Sequence, residues 1–255
     1  MRSTGPDQGR GLRELALVAA LAMLAAACSR GSEGGSAAPA DSRVVRFRST
    51  DGVLLEGRLF GSGGVGVVLS HMLPADQSSW YQFAERLAGE GYLALTYDFR
   101  GYCPGEDAGC SQGEKDIAAI WQDVVGAAEF LRSRGATRIM LVGASMGGTA
   151  SLVAAARGGP LAAAIVTLSA PTSIEGLVAD PSALQQIEAA KLFLAGALDA
   201  TAAAAAQELY DQSPPPKRVE ILPSSDHGTD LLTGNQAEVV RTLILNYLDK
   251  YSQTG

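Results

Sequence analysis

Residues 139–149 carry the pattern that decides the fold, and they read Ile139-Met140-Leu141-Val142-Gly143-Ala144-Ser145-Met146-Gly147-Gly148-Thr149. The apolar residues at the start predict a buried strand, and the stretch from Thr149 to Arg157 predicts a helix. Between them, Gly-x-Ser-x-Gly predicts a turn too tight for side chains at its flanking positions. This turn lifts the Ser145 hydroxyl to a sheet edge, at the positive end of a helix. Ser145 is therefore the candidate nucleophile; the alternative is a chance Gly/Ser turn.

The rest of the chain supplies the other strands of a sheet. Two apolar runs, 44–48 and 53–60, flank Asp51-Gly52 and predict an N-terminal β-hairpin. After it, short apolar runs alternate with helical stretches; the runs cover residues 65–70, 92–97, 138–142, 163–168, 191–195 and 218–222. This alternation predicts an α/β domain over residues 43–255, with a mostly parallel central sheet and helices on both faces.

Two helices are indicated by the spacing of their apolar residues. In the longest, the apolar positions are Ile117, Trp121, Val124, Ala128 and Leu131. Ser111 and Glu114 predict a capping box ahead of this helix, and Gly135 predicts its end. The last helix carries an apolar stripe from Val239 to Leu248 that should pack across the sheet.

The chain has two histidines, and a serine nucleophile needs a base to take its proton. His227 follows the last predicted strand, where this topology expects the base, after the serine and the acid. The alternative is a loop histidine bonded to a carbonyl group. His71 closes the first parallel strand, near the same sheet edge, and is expected to brace the following loop.

Asp199 is the candidate acid, because it follows a strand and a glycine turn between Ser145 and His227. Its carboxylate would hold the imidazole in one tautomer and stabilise its charged form. Asp199 also precedes a predicted helix, so it could instead only cap that helix. Asp180 and Asp226 are weaker candidates, the first in a loop before the strand and the second next to the base. The Met146 N–H, directly after the nucleophile, is expected to be one oxyanion donor.

The ordered series His71-Met72, Asp98-Phe99-Arg100-Gly101-Tyr102, Gly143-x-Ser145-x-Gly147, Asp199 and His227-Gly228 resembles the α/β-hydrolase superfamily over roughly residues 44–250. The resemblance implies a catalytic triad at the carboxyl edge of the sheet. By analogy with the His-Gly-x turn of many hydrolases, Leu73 supplies the second oxyanion donor, with Met72 as second choice. The sequence departs from the pattern at Met72, where glycine is usual, and in the loop from Cys103 to Cys110.

The pattern of the N-terminal region predicts an export signal followed by a tether. Arginines precede an uncharged run from Leu15 to Ala27, and small residues then lead to Cys28. This pattern resembles a bacterial lipoprotein signal peptide over residues 1–27, with Cys28 lipidated; ordinary cleavage near Ala27 is the alternative. Residues 28–42 match a flexible Gly/Ser tether. We expect an exported protein, lipid-anchored at the outer face of the bacterial cell membrane or secreted. Export favours a disulfide between Cys103 and Cys110 over two free thiols.

Composition restricts the partners. The net charge of −7 gives no electrostatic footprint for nucleic acid. Two cysteines without a neighbouring histidine make a metal site improbable, and we expect no cofactor. The sequence leaves the oligomeric state open.

Three functions fit the pattern: hydrolysis of a small or short-acyl ester through an acyl-serine intermediate, acyl transfer or peptide cleavage by the same triad, or binding without turnover on a hydrolase scaffold. The interval from Ala170 to Ala190 has room for a loop and one short helix rather than a large lid. We therefore expect a shallow, water-accessible site for a small-molecule substrate.

Overall fold

An eight-stranded sheet forms the centre of the protein, with strand order β1-β2-β4-β3-β5-β6-β9-β10. The computed structural model describes residues 1–2, 41–103 and 110–253. The strands of this sheet are β1 (Ser42–Arg48), β2 (Leu54–Phe60), β3 (Val65–Ser70), β4 (Leu93–Tyr97), β5 (Arg138–Ala144), β6 (Ala164–Leu168), β9 (Ala190–Gly196) and β10 (Lys217–Leu222). Two further strands, β7 (Ser173–Ile174) and β8 (Leu177–Val178), form a separate small hairpin.

The pairing pattern confirms the predicted fold class. β1 and β2 form the antiparallel hairpin around Asp51-Gly52, and β2 then pairs antiparallel with β4. From β4 to β10 every pairing is parallel. The carboxyl ends of these strands consequently lie along one edge of the sheet, which is where the sequence places its candidate site residues.

Helices cover both faces of the sheet. They are α1 (Tyr81–Gly89), α2 (Trp121–Ser133), α3 (Met146–Arg157), α4 (Pro181–Leu184), α5 (Ala200–Gln212) and α6 (Ala237–Ser252). One apolar cluster contains side chains of α2, α3 and α5, and a second contains side chains of α1 and α6. Residues of a strand alternate between the clusters: Val68 and Leu141 belong to the first, Val67 and Met140 to the second. Burial on both faces explains why these strands are continuous apolar runs.

The predicted capping box at Ser111 is wrong. α2 begins at Trp121, after a 3₁₀ turn over Ile117–Ala119, so Ser111 lies too far upstream to cap it. The Ser111 hydroxyl instead donates to the carbonyl oxygen of Asp98 at 2.5 Å and accepts from the Glu56 N–H at 3.0 Å. Ser111 thus joins β2 to the residue after β4, a long-range role that its local sequence does not reveal.

The segment between β6 and β9 is small, as the sequence predicts. It contains the β7–β8 hairpin, whose turn residues Glu175 and Gly176 both have positive φ, and the single-turn helix α4. The hairpin was not predicted, because two-residue strands leave no periodic signal. The Thr149 hydroxyl of α3 donates to the Pro171 carbonyl at 2.6 Å and holds the start of this segment on the core.

Cys28, most of the predicted tether and all but the first two residues of the predicted signal peptide lie outside the described residues. The first strand begins at Ser42, at the end of that tether. Within the part of the chain that the structure describes, no helix has both the length and the apolar character needed to cross a membrane.

Candidate active site

Ser145 lies in a strand–turn–helix element that only glycines permit. It joins β5 to α3 with φ 45° and ψ −115°, a backbone conformation that costs an L-residue strain. A Cβ atom on Gly143 would overlap the Gly147 carbonyl, and one on Gly147 would overlap the carbonyl oxygens of Ser70 and His71. The close backbone contacts therefore fix Ser145 at the carboxyl edge of the sheet.

The start of α3 surrounds Ser145 with backbone N–H groups. Met146, the first residue of α3, has an N–H with no acceptor one helical turn earlier, while the N–H groups of Gly148 and Thr149 donate to the Ser145 carbonyl at 2.9 and 3.2 Å. The positive end of the helix dipole adds to the field here. A negative charge that develops beside Ser145 would be stabilised by this arrangement.

The structure brings Asp199 and His227 together. Asp199 follows β9, His227 follows β10, and the His227 Nδ1 lies 2.5 Å from the Asp199 Oδ2. The other carboxylate oxygen of Asp199 accepts from the Ala202 N–H at 3.3 Å, so the residue also caps α5. Asp199 therefore makes both contacts that the sequence offered as alternatives, one with each carboxylate oxygen. The two weaker candidates bond elsewhere: Asp180 caps α4, and Asp226 accepts from the Ser224 hydroxyl at 2.8 Å.

Backbone packing places the His227 segment beside the Ser145 segment. Gly228 has φ 56°, and a Cβ atom there would lie 3.4 Å from the Ala144 Cβ and would overlap the Met72 Sδ. The residue after the imidazole thus packs against the residue before the candidate nucleophile. Ser145 is also bonded to the neighbouring strand, through its N–H to the Leu168 carbonyl at 2.7 Å.

His71 braces the loop that contains Met72 and Leu73. The ring is fully buried; its Nδ1 lies 3.0 Å from the Met72 carbonyl oxygen, and its Nε2 accepts from the Phe99 N–H at 3.1 Å. Burial lowers the pKa of His71 to about 4, so the ring is neutral near pH 7. The neutral tautomer with the proton on Nδ1 satisfies both bonds. Leu73, the residue predicted to supply the second oxyanion donor, directly follows this braced position and is half-buried.

Buried polar groups behind this loop were not predicted. The Asp98 carboxylate accepts from the Gln77 N–H at 3.0 Å and from the Gln77 side chain at 2.6 Å, and burial raises the pKa of Asp98 to about 7. Ser169, directly after β6, has φ 56° and a buried hydroxyl with no hydrogen-bond partner among the described residues. No local motif marks Gln77 or Ser169, and only the fold brings them close to the site.

A disulfide joins Cys103 and Cys110 in the loop that follows β4, as the sequence predicts. The neighbouring Tyr102 ring packs edge-on against the His71 ring, with centroids 4.7 Å apart. The bridged loop therefore starts beside the braced loop. Within the described ranges, no group of histidine, cysteine, aspartate and glutamate side chains has the arrangement of a metal site.

Comparison with known proteins agrees with the fold. Residues 66–191 match the family model described as alpha/beta hydrolase fold. An esterase from Pyrococcus furiosus superposes with a TM-score of 0.71 at 18% identity, over 85% of this chain and 97% of that chain. A dienelactone hydrolase from Anabaena variabilis gives a TM-score of 0.65 at 22% identity, over 83% of this chain and 99% of that chain. A thermophilic esterase from Thermogutta terrifontis, with malate bound, gives a TM-score of 0.64 at 19% identity, over 82% of this chain and 99% of that chain.

No curated protein matches the sequence. The protein has the α/β-hydrolase fold.

The buried His71 ring predicts a specific dependence of stability on pH. Its pKa is about 4 in the folded protein against 6.5 in the unfolded chain, so the unfolded state binds more protons between these values. The contribution of the neutral His71 ring to the free energy of unfolding is complete above pH 6.5, and it is lost as the pH falls towards 4. At 1.36 kcal/mol per pKa unit, the loss between pH 7 and pH 4 is about 3 kcal/mol.

The measurement compares urea unfolding of the wild type and His71→Gln between pH 7 and pH 4. The wild type is expected to be the more stable at pH 7, and the difference should narrow by about 3 kcal/mol at pH 4. Because both proteins keep Asp98 and every other acidic group, their titration cancels in the comparison. A difference that stays constant with pH would show that the His71 ring titrates alike in the folded and unfolded states.

Proposed function

We propose that this protein is a serine hydrolase that cleaves carboxylic esters through an acyl-serine intermediate. The observation that carries the proposal is the 2.5 Å contact between His227 Nδ1 and Asp199 Oδ2, on loops adjacent to the strained Ser145. A carboxylate bonded to one ring nitrogen leaves the other nitrogen free to act on a nucleophile. The esterases and the dienelactone hydrolase that share the fold support the choice of esters.

In the proposed reaction, the Ser145 hydroxyl attacks the ester carbonyl carbon and its proton passes to His227. The resulting oxyanion accepts hydrogen bonds from the Met146 N–H at the start of α3 and from the Leu73 N–H. Collapse of this intermediate breaks the bond to the alcohol, which leaves with the proton from His227. Water then attacks the acyl-serine while His227 takes its proton. Collapse of this second intermediate breaks the bond between the acyl carbon and the Ser145 oxygen, which takes the proton back from His227, and the carboxylic acid is released. Asp199 stabilises the imidazolium in both steps.

Removal of the Ser145 hydroxyl should abolish turnover. We expect Ser145→Ala to lower kcat on p-nitrophenyl acetate by several powers of ten, because no other group can form the acyl intermediate. A fluorophosphonate probe should label the wild type and should not label Ser145→Ala. The matched control is Ser133→Ala, which removes an exposed hydroxyl at the end of α2 and should keep both activity and labelling.

Unfolding midpoints show whether the variants fold. Retained hydrolysis by a folded Ser145→Ala would contradict the assignment. A wild type that folds but is not labelled would identify a binding protein on a hydrolase scaffold, and labelling without ester hydrolysis would point to acyl transfer or peptide cleavage.

The small segment between β6 and β9 supports a preference for small or short-acyl esters. It supplies two-residue strands and one helical turn. Two apolar side chains near this edge, Val178 and Leu198, are 43% and 77% exposed, so they do not enclose a deep channel. A long acyl chain bound here would stay largely in water.

A series of p-nitrophenyl esters from acetate to laurate tests this preference. Full burial is worth about 0.8 kcal/mol per methylene, so a deep apolar channel would raise kcat/KM roughly fourfold with each added methylene. We expect kcat/KM to be highest at acetate to butyrate and then to stay level or fall. The assays stay below micelle-forming concentrations, with Ser145→Ala as the blank. A continuous rise from butyrate to laurate would contradict a shallow site.

We also propose that Cys28 carries lipid and holds the protein at the outer face of the bacterial cell membrane. The support is the order of positive residues, uncharged run and small residues that ends at Cys28, followed by the Gly/Ser-rich tether.

Intact-mass analysis of protein extracted from membranes tests the anchor. We expect a chain that starts at Cys28 and carries the added mass of a lipid group, while Cys28→Ala should no longer fractionate with membranes. A mature chain with an unmodified Cys28 would contradict lipidation and would indicate secretion.

A further inference from the structure

A cleft lies at the opposite end of the sheet from the candidate active site. Its volume is about 540 Å³, and it lies between the start of β10 and the last turns of α6. The residues that define it are Lys217, Arg218, Asn246, Tyr247, Lys250 and Tyr251, and Pro215 and Pro216 form one wall. Lys217 is the first residue of β10, so the cleft lies at the amino ends of the strands.

Most of the lysines lie at this end of the sheet, in a chain whose net charge is −7. The chain has four lysines, and three of them lie here: Lys217 and Lys250 line the cleft, and Lys191 lies in β9, directly opposite Lys217 in the register. Burial, together with the charge of Lys217, lowers the pKa of Lys191 to about 8. The effect of Lys217 on Lys191 shows that these two ammonium groups are close enough to repel each other.

Few carboxylates oppose this charge. The Lys217 ammonium donates to the Tyr210 carbonyl oxygen at 2.7 Å, and within the described residues neither Lys217 nor Lys250 forms an ion pair. Arg218 is paired with Glu220 at 2.6 Å. None of the residues that line the cleft is acidic. The field in the cleft therefore favours an anion.

Tyr247 adds a hydrogen-bond donor with no acceptor. Its side chain is nine-tenths buried, and its ring packs on Tyr251 with centroids 5.0 Å apart. Its hydroxyl has no hydrogen-bond partner within 3.5 Å among the described residues, and the Tyr251 side chain interacts with it closely enough to raise its pKa. Burial raises the pKa of Tyr247, so the hydroxyl stays protonated. A buried donor left unpaired is costly, and an acceptor supplied by a ligand would satisfy it.

We propose that this cleft binds the phosphate group of a small phosphate ester. The phosphate oxygens accept from the Tyr247 hydroxyl, and the charges of Lys217 and Lys250 compensate the anion. Donors on two different elements suit a tetrahedral anion with several acceptor oxygens, and the proline wall and the Tyr251 ring suit the carbon skeleton of the ester. Both a phospholipid headgroup and a free phosphate ester have this chemistry. Because the cleft and Ser145 lie at opposite strand ends, occupation of the cleft leaves the candidate active site open.

Calorimetric titration of the full-length protein with inorganic phosphate and with glycerol 3-phosphate tests the site. We expect both to bind, and we expect Tyr247→Phe, which keeps the ring and removes only the hydroxyl, to weaken affinity about tenfold. Lys250→Gln should weaken binding by a similar factor and reduce its dependence on salt. The matched control is Lys115→Gln, which removes the one lysine that does not lie at this end of the sheet and should bind as the wild type. Equal affinity in Tyr247→Phe, or no binding by the wild type, would overturn the proposal.

Vesicles distinguish the two sources of the phosphate group. Wild type and Tyr247→Phe are compared on phosphatidylglycerol and phosphatidylcholine vesicles, so that binding through the N-terminal region cancels. Stronger binding to phosphatidylglycerol that is lost in Tyr247→Phe would identify a lipid headgroup as the ligand. Phosphate-ester binding with equal vesicle binding by the two proteins would identify a free phosphate ester. Neither result depends on ester hydrolysis, so the site can be tested even if the proposed hydrolase activity fails.

Discussion

Close backbone contact between the start of α3 and the end of β3 is the constraint on which the candidate site depends. Gly147 lies so close to the carbonyl oxygens of Ser70 and His71 that no side chain fits between them. This contact brings the helix amides, the Ser145 turn and the His71 loop to one point. Gly228 makes a similar contact from the other side, against Met72 and Ala144. The geometry of the site is therefore set by backbone packing, and its side chains extend from rigid positions.

Buried charges hold the loops behind this point. Arg100, directly after the Asp98-Phe99 pair, donates to Asp123 at 2.6 Å and to Asp51 at 2.7 Å. These bonds join the loop after β4 to α2 and to the turn of the β1–β2 hairpin. A buried ion pair contributes little net stability, but loss of one partner is costly because a charge is left uncompensated. We interpret this network as fixing the loop in one conformation, and with it Phe99, whose N–H donates to His71.

The sequence predicts those parts of the fold and site that depend on local pattern or on the order of elements. The hairpin at Asp51-Gly52, the parallel strands and the Ser145 turn each leave a local signal, and the order of Ser145, Asp199 and His227 follows from the topology. Contacts between distant segments leave no such signal. Ser111 has the local pattern of a cap but bonds to Asp98 and Glu56, because tertiary hydrogen bonds replace the local one. Gln77 gives no indication in the sequence that it bonds to Asp98.

The parallel strands place the candidate active site at their carboxyl ends and the lysines at their amino ends. Lysine side chains at the amino ends of parallel strands lie near the carboxyl ends of the preceding helices, where cations satisfy the last carbonyl groups and the helix dipole. Capping of this kind accounts for Lys217, which bonds to Tyr210 in α5, and for Lys191, which donates to the Ile187 carbonyl at 2.8 Å after α4. It does not account for the buried hydroxyl of Tyr247, which has no carbonyl partner among the described residues. Capping thus explains why cations gather at this end, and the unpaired hydroxyl among them is the feature that points to a ligand.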